Sequence, residues 1–404
     1  MNENKPLPKG WEVKNLGDIG KIFNGNSINA TIKKEKYLNI NGGMPYIATK
    51  DISYENIIDY SNGISIPFEE KSNFRFVPKN TTLICAEGGS AGRKIGFTSQ
   101  EVCFGNKLFA LIVKNGISNK YIYYYYFSDN FQKDFQGQMT GIIGGVSMAK
   151  FKKLNIPLPS LPEQKCIVAI LDKTFAEITK AEAIAKTNLQ NAKELFESYL
   201  NNVFKDKGDD WEEKKLNDIC TKITDGVHQK PNYISKGVPF LKINNLTKGD
   251  GISFDKVSYI SKEDHELYCK RTRPEKGDIL ITKDGTIGIV RIIDTDIEFS
   301  IFVSLALIKP INRKISLFLK YILISPLIQK QIKPKGAALK HLYLKDLRNF
   351  SIPIPPIQEQ QKIIQKLNYL QVQTKKLEII YQQKITDLSE LKKSILQKAF
   401  NGEL

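Results

Sequence analysis

Two patterns of hydrophobic and polar positions alternate along the chain. Short apolar runs bounded by Gly, Asn and Asp come first and predict strands. A long stretch with apolar residues at alternating three- and four-residue spacing follows and predicts a helix. The order then repeats once. The first long stretch opens Ile156-Pro157-Leu158-Pro159-Ser160-Leu161-Pro162-Glu163-Gln164 and continues without Pro or Gly to Phe204. The second opens Ile352-Pro353-Ile354-Pro355-Pro356-Ile357-Gln358-Glu359-Gln360 and continues to Phe400. Start and end are both displaced by 196 positions, the mark of an internal duplication.

The spacing within each stretch is that of a coiled-coil seam. Ile167, Leu171, Thr174, Ile178, Ala181, Ala185, Ala192, Leu195 and Tyr199 form one seam. Ile363, Leu367, Leu370, Thr374, Leu377, Tyr381, Leu388, Leu391 and Ile395 repeat it. Asn188 and Lys384 share a matching polar slot, the kind of position that sets register at some cost in stability. A helix from Glu163 to Phe204 is roughly 63 Å long at about 1.5 Å per residue. Two copies in one register, each closing a larger repeat, predict that the helices pair with each other.

The repeat reaches into the preceding segments. Trp11-Glu12-Val13-Lys14-Asn15-Leu16-Gly17-Asp18-Ile19 returns as Trp211-Glu212-Glu213-Lys214-Lys215-Leu216-Asn217-Asp218-Ile219, and Pro45–Ile52 returns as Pro239–Leu246. From Pro78 and Pro274 onward the displacement settles near 196. Thr82–Ala86 and Asp278–Thr282 read as buried strands, each running into a Gly-rich turn. Strands are also expected around Lys94–Phe97, Ile289–Ile293, Leu108–Val113 and Leu305–Ile308. Helices are expected at Tyr121–Phe127 and Leu317–Ile324. Mixed strands with few helices predict an α+β unit. The organisation is a globular unit at 1–159, a central long helix at 160–206, a second globular unit at 207–355 and a distal long helix at 356–404, with Lys205–Asp210 as the linker between halves.

Composition narrows the function. A length of 404 residues fits more than one domain, and 41% hydrophobic residues is ordinary for a folded chain. No apolar run approaches the ~20 residues needed to span a bilayer, and Met1–Pro6 lacks the apolar core of a signal peptide. The five cysteines, at 85, 103, 166, 220 and 269, form no pair or Cys/His cluster, which argues against zinc and disulfides and fits a cytoplasmic protein. Net charge is +17, which favours a polyanion, nucleic acid ahead of membrane. Charge by itself is equally compatible with a Lys-rich surface that has no ligand.

No catalytic signature stands out. The Gly-rich turns lack the Gly-Lys-Ser/Thr ending of a P-loop, and neither a dinucleotide fingerprint nor an Asn/Asp-Pro-Pro-aromatic motif of base methylation occurs. His228, His265 and His341 lie far apart in sequence. The positive signals are loops rich in Lys, Arg, Asn, Gly and Ser at matching places in both units. In the first unit they offer Asn26, Ser27, Lys50, Ser90, Arg93, Lys94 and Lys107, together with the glycines of 141–145. In the second they offer His228, Gln229, Lys230, Lys242, Asn244, Asn245, Lys283, Thr286, Lys335, Lys340 and His341. Lys and Arg neutralise phosphates, and Arg, Asn and Gln pair with guanine and adenine edges. Each loop alone is compatible with plain turn chemistry; the recurrence is what points to DNA.

The layout resembles the DNA-specificity subunit of Type I restriction–modification systems. Gly10-Trp11 with Leu16–Ile19, Trp211 with Leu216–Ile219, the Pro-x-Pro openings with Glu163-Gln164 and Glu359-Gln360, Asp284–Gly288 and Leu396–Leu404 carry the resemblance. It covers essentially the whole chain. It implies two target-recognition domains separated by a pair of long antiparallel coiled-coil helices with a pseudo-two-fold internal repeat. It implies a non-catalytic subunit that binds double-stranded DNA at a bipartite asymmetric sequence, one half-site per domain, with the helices as spacer. It implies two methyltransferase subunits as partners, bound along the helices, and motor-nuclease subunits beyond them; the flanks outside the seam, with Lys173, Lys180, Lys186, Gln190, Lys362, Lys366 and Lys376, are candidate docking surfaces for partner helices. No cofactor is expected on this chain; S-adenosylmethionine, ATP and Mg are expected on the partners. The Glu87–Gly92 loop differs from Lys283–Gly288, which implies unlike half-sites. Two other readings stay open from the residues: a protein-interaction scaffold, and a fused stand-alone nuclease or methyltransferase.

Overall fold

The computed structural model describes residues 7–40, 42–141, 144–333 and 340–404. The chain forms two compact units. One comprises residues 1–185 and 383–404, the other residues 186–382. The boundaries fall inside the two long helices, Leu161–Lys205 and Ile357–Phe400, and not at their starts. Each unit therefore holds half of one helix and the opposite half of the other.

In the first unit a four-stranded antiparallel sheet has the order Gly20–Asn24, Leu108–Val113, Thr82–Cys85, Ile95–Phe97. A second sheet orders Ser65–Ile66, Met44–Ile47, Val102–Phe104 and Phe76–Val77, with the central pair parallel. The second unit repeats the first sheet as Cys220–Asp225, Leu305–Pro310, Ile279–Thr282, Val290–Ile292. Its other sheet has Ser258–Ile260, Val238–Leu241 and Ser300–Ile301, the last two again parallel. Strands such as Thr82–Cys85 and Ile279–Thr282 are buried along their whole length. They read as continuous apolar runs because both faces of the sheet are covered.

The segments before the long helices are strands. Asn155–Leu158 pairs antiparallel with Glu12–Asn15, and Ser351–Ile354 pairs with Glu212–Lys215. Each ribbon has two strands only, so Pro157 and Pro353 sit where the missing N–H disrupts no ladder. The helices begin a few residues on. The first buried cluster gathers Leu16, Tyr121, Phe151, Ile167 and Leu171 with Leu396 and Phe400. The second gathers Leu216, Phe318, Ile322, Leu200 and Phe204 with Leu367. In the first unit the start of one long helix meets the end of the other. In the second unit the end of the first helix meets the start of the second. The two helices run antiparallel.

The seam is narrower than the spacing predicts. Leu171, Ile178, Ala185 and Ala192 are buried at every seventh position, and Ile167 is buried one step earlier. Leu367 and Thr374 are buried, and Ile363, Tyr381, Leu388 and Ile395 are half-buried along the same row. Leu195, by contrast, is 50% exposed. Beyond Ala192 the covered positions change to four-residue steps, Phe196, Leu200 and Phe204. There the helix leaves the seam to lie on the globular part of the second unit, where Phe204 meets Phe318 at 5.8 Å. Such a four-residue step is a stutter in the heptad. Leu377 and Leu391 are also exposed; they share a row with Lys384, which keeps that row in water. Tyr199 is half-buried beneath the ammonium of Lys366, 5.2 Å from its ring. Lys366 itself stays exposed.

No helix among the described residues is long and apolar enough to cross a membrane.

Candidate DNA-recognition interface

The second unit shows how its loops are assembled. The strand Cys220–Asp225 ends at Asp225, and Gly226 follows with its backbone against Ile301. A Cβ at Gly226 would fall on the Ile301 carbonyl, so only glycine permits this approach. The Val227 N–H then donates to Ile301 O at 3.0 Å. This turn projects His228, Gln229 and Lys230 outward, all exposed. The strand Ile279–Thr282 ends beside it at Lys283. The Lys283 carbonyl accepts from Leu342 N at 2.9 Å, and Asp284 bridges His341 through the backbone and pairs with its Nδ1. The His228 turn, the Lys283–Gly288 loop and the Lys340-His341 segment therefore meet at one end of one sheet.

Asp225 is the centre of this end. Its Oδ2 accepts from Lys283 Nζ at 2.6 Å, with the two side chains only 2% and 5% exposed. Its Oδ1 accepts from Arg271 Nη2 at 2.6 Å and lies 3.3 Å from His228 Nε2. Its backbone carbonyl accepts from Thr272 Oγ1 at 2.7 Å. Burial pushes the Asp225 carboxyl up, but the hydrogen bond and charge of Lys283, then those of His228, outweigh it and hold the group below the usual carboxylate range. A cavity of about 250 Å³ opens alongside, lined by Val227, His228, Leu267, Tyr268, Arg271 and Ile301 among others.

The first unit has the same frame with other side chains. Gly25 follows Asn24, and a Cβ there would fall on the Phe104 carbonyl. Asn26 N donates to Phe104 O at 2.9 Å, as Val227 does to Ile301. Val146 N donates to Ala86 O at 2.9 Å, and Glu87 bridges Gly145, as Leu342 and His341 do with Lys283 and Asp284. Gly92 and Gly288 both have positive φ, and each carbonyl accepts from a glutamine amide, Gln132 at 2.9 Å and Gln329 at 3.1 Å. Where the second unit has Asp225 over Lys283, the first has Asn24 over Ala86.

The residues singled out from the sequence fall into three groups. Ser27, Lys50, Arg93, Lys107, His228, Gln229, Lys230, Asn244, Thr286 and Lys340 are exposed. Ser90, Arg93 and Lys94 converge on Tyr54: the Ser90 hydroxyl is 3.2 Å from Tyr54 Oη, and the two cations lie over its ring at 5.5 and 5.0 Å. Several others are occupied by the fold. Asn26 Oδ1 accepts from Arg75 N at 2.6 Å. Lys94 Nζ donates to Thr49 O at 3.1 Å. Lys242 Nζ donates to Ser258 Oγ at 3.2 Å and lies over Tyr233. His341 is held by Asp284.

Two expectations fail outright. Lys283 is buried against Asp225 and cannot reach a phosphate. Asn245 is buried, its Oδ1 accepting from Lys242 N and its Nδ2 donating to Ser253 O, so its amide is spent on the backbone and not on a base edge. Lys335 and part of the 141–145 loop lie outside the described residues. Sequence reasoning missed Arg75, Arg271 and Tyr54. The arginines stand 196 positions apart, three residues before Pro78 and Pro274, the point where the repeat becomes regular.

Two copies of one backbone frame, carrying different side chains at the same sheet end, make this an internally duplicated protein. Residues 8–188 and 208–387 match the family described as "Type I restriction modification DNA specificity domain". The chain belongs to this family, that of the non-catalytic subunit of type I systems. It is similar to the Type I restriction enzyme EcoBI specificity subunit of Escherichia coli, with 27% identity over 98% of this chain and 86% of that one. It is 28% identical to the MjaIX specificity subunit of Methanocaldococcus jannaschii, over 98% and 94% of the two chains. In fold it is similar to a chain solved in work on the assembly and conformational transition of the type I R-M system, with a TM-score of 0.78, 19% identity and 99% and 100% coverage. The HsdS subunit from Thermoanaerobacter tengcongensis aligns with a TM-score of 0.59, 20% identity and 99% coverage of both chains.

Proposed function

We propose that this chain is the subunit that reads DNA sequence for a type I restriction–modification complex and organises the modification and restriction subunits around it. Each globular unit reads one half of an interrupted, asymmetric duplex site, and the paired helices set the gap between the halves. The observation that carries this reading is the repeated frame with unlike outward residues: His228-Gln229-Lys230 occupies the turn where the first unit has Ser27 and its neighbours. A shared frame supplies the same docking geometry twice. Different side chains on it give different bases read, hence asymmetry.

Two methyltransferase subunits bind along the helices, and motor-nuclease subunits join them. S-adenosylmethionine is held by the former, and ATP and Mg by the latter, in the cytoplasm. The net charge of +17 supplies the sequence-independent part of DNA affinity.

The test is binding by the chain together with methyltransferase subunits, measured against a random duplex library over a salt series. The expected result is enrichment of a two-part motif with a fixed gap. Affinity should fall with salt by a log–log slope of about −0.9 per phosphate neutralised. Enrichment of no motif would reject the reading. A contiguous motif would reject the division of labour between the units.

A further inference from the structure

We propose that Arg75 and Arg271 are the base-reading side chains of the two units, one in each, aimed by the residue that ends the first sheet strand, Asn24 or Asp225. The proposal rests on the function set out above and names the groups that perform it. Arg75 and Arg271 occupy the same place in the repeat and are both exposed. Arg75 Nη1 donates to Asn24 O at 3.0 Å and also to Asn24 Oδ1. Arg271 Nη2 donates to Asp225 Oδ1 at 2.6 Å. Asn24 and Asp225 are themselves fixed by the glycine turn that follows each of them.

The charge beneath each arginine is balanced in both units, by different means. Asp225 is neutralised by the buried Lys283, while Asn24 and Ala86 are both uncharged. Each arginine therefore keeps its own positive charge. Each guanidinium is also tethered through a single terminal nitrogen. Its Nε and second Nη donate to no group among the described residues. What remains is a planar fork with donors open to the outside and its orientation already set. That fits the O6 and N7 acceptors of guanine, which a bidentate arginine reads in the major groove. Fixing the fork before binding removes part of the ordering cost on DNA. Exposed lysines such as Lys50, Lys107 and Lys340 suit phosphates better, since a mobile point charge needs no aim. Asn24 and Asp225 are positioning residues.

The experiment uses the full chain with its methyltransferase subunits and reads the enriched motif for wild type, R75A, R75K, R271A, R271K and the double variant D225A/K283M. The R271A and R271K variants should each lose discrimination at one guanine position of one half-site, by about 10- to 100-fold. The other half-site and the salt slope should stay unchanged. The Arg75 pair should do the same in the other half. The lysine variants keep the charge, so relaxation by them excludes a simple loss of charge or of folding. D225A combined with K283M, which leaves no buried charge stranded, should relax the same position as R271A, and adding this pair to R271A should bring no further relaxation. A motif left intact by both arginine pairs overturns the proposal. So does a uniform loss of affinity with the salt slope reduced by about 0.9, the sign of a phosphate contact. A wild-type complex that enriches no motif overturns this proposal together with the function itself; an intact motif in the variants overturns this proposal alone.

Discussion

Trp11 donates its indole N–H to Glu163 Oε1 at 2.9 Å, joining the entrance of the first unit to the first turn of the long helix 152 positions on. Trp211 repeats the contact with Glu359 Oε2 at 3.1 Å. The two tryptophans are the only ones in the chain, so each reports on one unit. Both glutamates also sit in the first turn of a helix, where a negative charge is favoured by the exposed N–H groups. Glu163→Gln and Glu359→Gln should each cost about 0.5–1.5 kcal/mol by losing that interaction and weakening the indole bond. The second should cost more, because the Trp211 contact is partly buried and the Trp11 contact is exposed. Denaturant unfolding followed through Trp fluorescence checks this. Equal midpoints for wild type and both variants would show that the repeated contact is incidental.

The Asp225–Lys283 pair makes a sharper prediction. Asp225→Asn alone leaves the Lys283 ammonium buried without its counter-charge and should destabilise the second unit by about 3–5 kcal/mol. Lys283→Met added to it removes the stranded charge at similar volume. The double variant should recover most of the loss, since a buried pair replaced by neutral groups is often close to neutral in cost. The first unit already has this solution in Asn24 and Ala86. Additive losses in the double-mutant cycle would show that the two groups are not coupled.

The same carboxyl gives a pH dependence with a definite sign. Asp225 is held below the ordinary carboxylate range in the folded chain, so protons bind it more readily when unfolded, near a pKa of about 3.9. Its contribution is fully present above that value and is lost as pH falls through the lower folded pKa. The stability gap between wild type and Asp225→Asn should therefore narrow below about pH 4 and stay constant from pH 5 to 7. Urea midpoints at a series of pH values, read through Trp211, test this. A gap that widens on acidification contradicts the sign.

The seam predicts a contrast within each long helix. Leu171 and Leu367 are fully buried, and truncating either to Ala should cost about 2–5 kcal/mol. Leu195 and Leu391 look equivalent in the heptad pattern but are exposed, and their truncation should change stability by no more than about 0.5 kcal/mol. Thermal unfolding of the four variants separates the observed seam from the one the spacing alone implies. A large cost at Leu195 would restore the simple heptad.

That contrast shows what local sequence can and cannot carry. The long helices and strands such as Leu108–Val113 were legible because their apolar periods are long and unbroken. The two-residue strands Ser65–Ile66, Phe76–Val77 and Ser300–Ile301 were not, because so short a run has no period and is defined by distant partners. Leu195 was misplaced because the stutter after Ala192 answers to Phe318, far along the chain. Lys283 read as a phosphate contact because a lysine beside a Gly-rich turn is ordinarily exposed, and its acceptor lies 58 positions away. Arg75 and Arg271 carried a usable signal in their common displacement of 196, but their neighbours differ: Phe74 and Phe76 flank one, Lys270 and Thr272 the other.

Phe400 belongs to the first unit although it lies near the far end of the sequence. It is 1% exposed, edge-on to Tyr121 and Tyr125 with both ring centroids at 5.2 Å. Leu396 and Ala399 are buried in the same cluster. Phe400→Ala removes two aromatic contacts and leaves a cavity, at a cost of about 3–5 kcal/mol. The loss should fall on the first unit, since none of these residues enters the second buried cluster. In a Trp211→Phe background, where Trp11 alone reports, Phe400→Ala should lower the unfolding midpoint by several degrees. In a Trp11→Phe background the Trp211 transition should shift far less. Equal shifts in both backgrounds would mean that the units unfold as one cooperative body, and no shift in either would mean that Phe400 does not anchor the first unit.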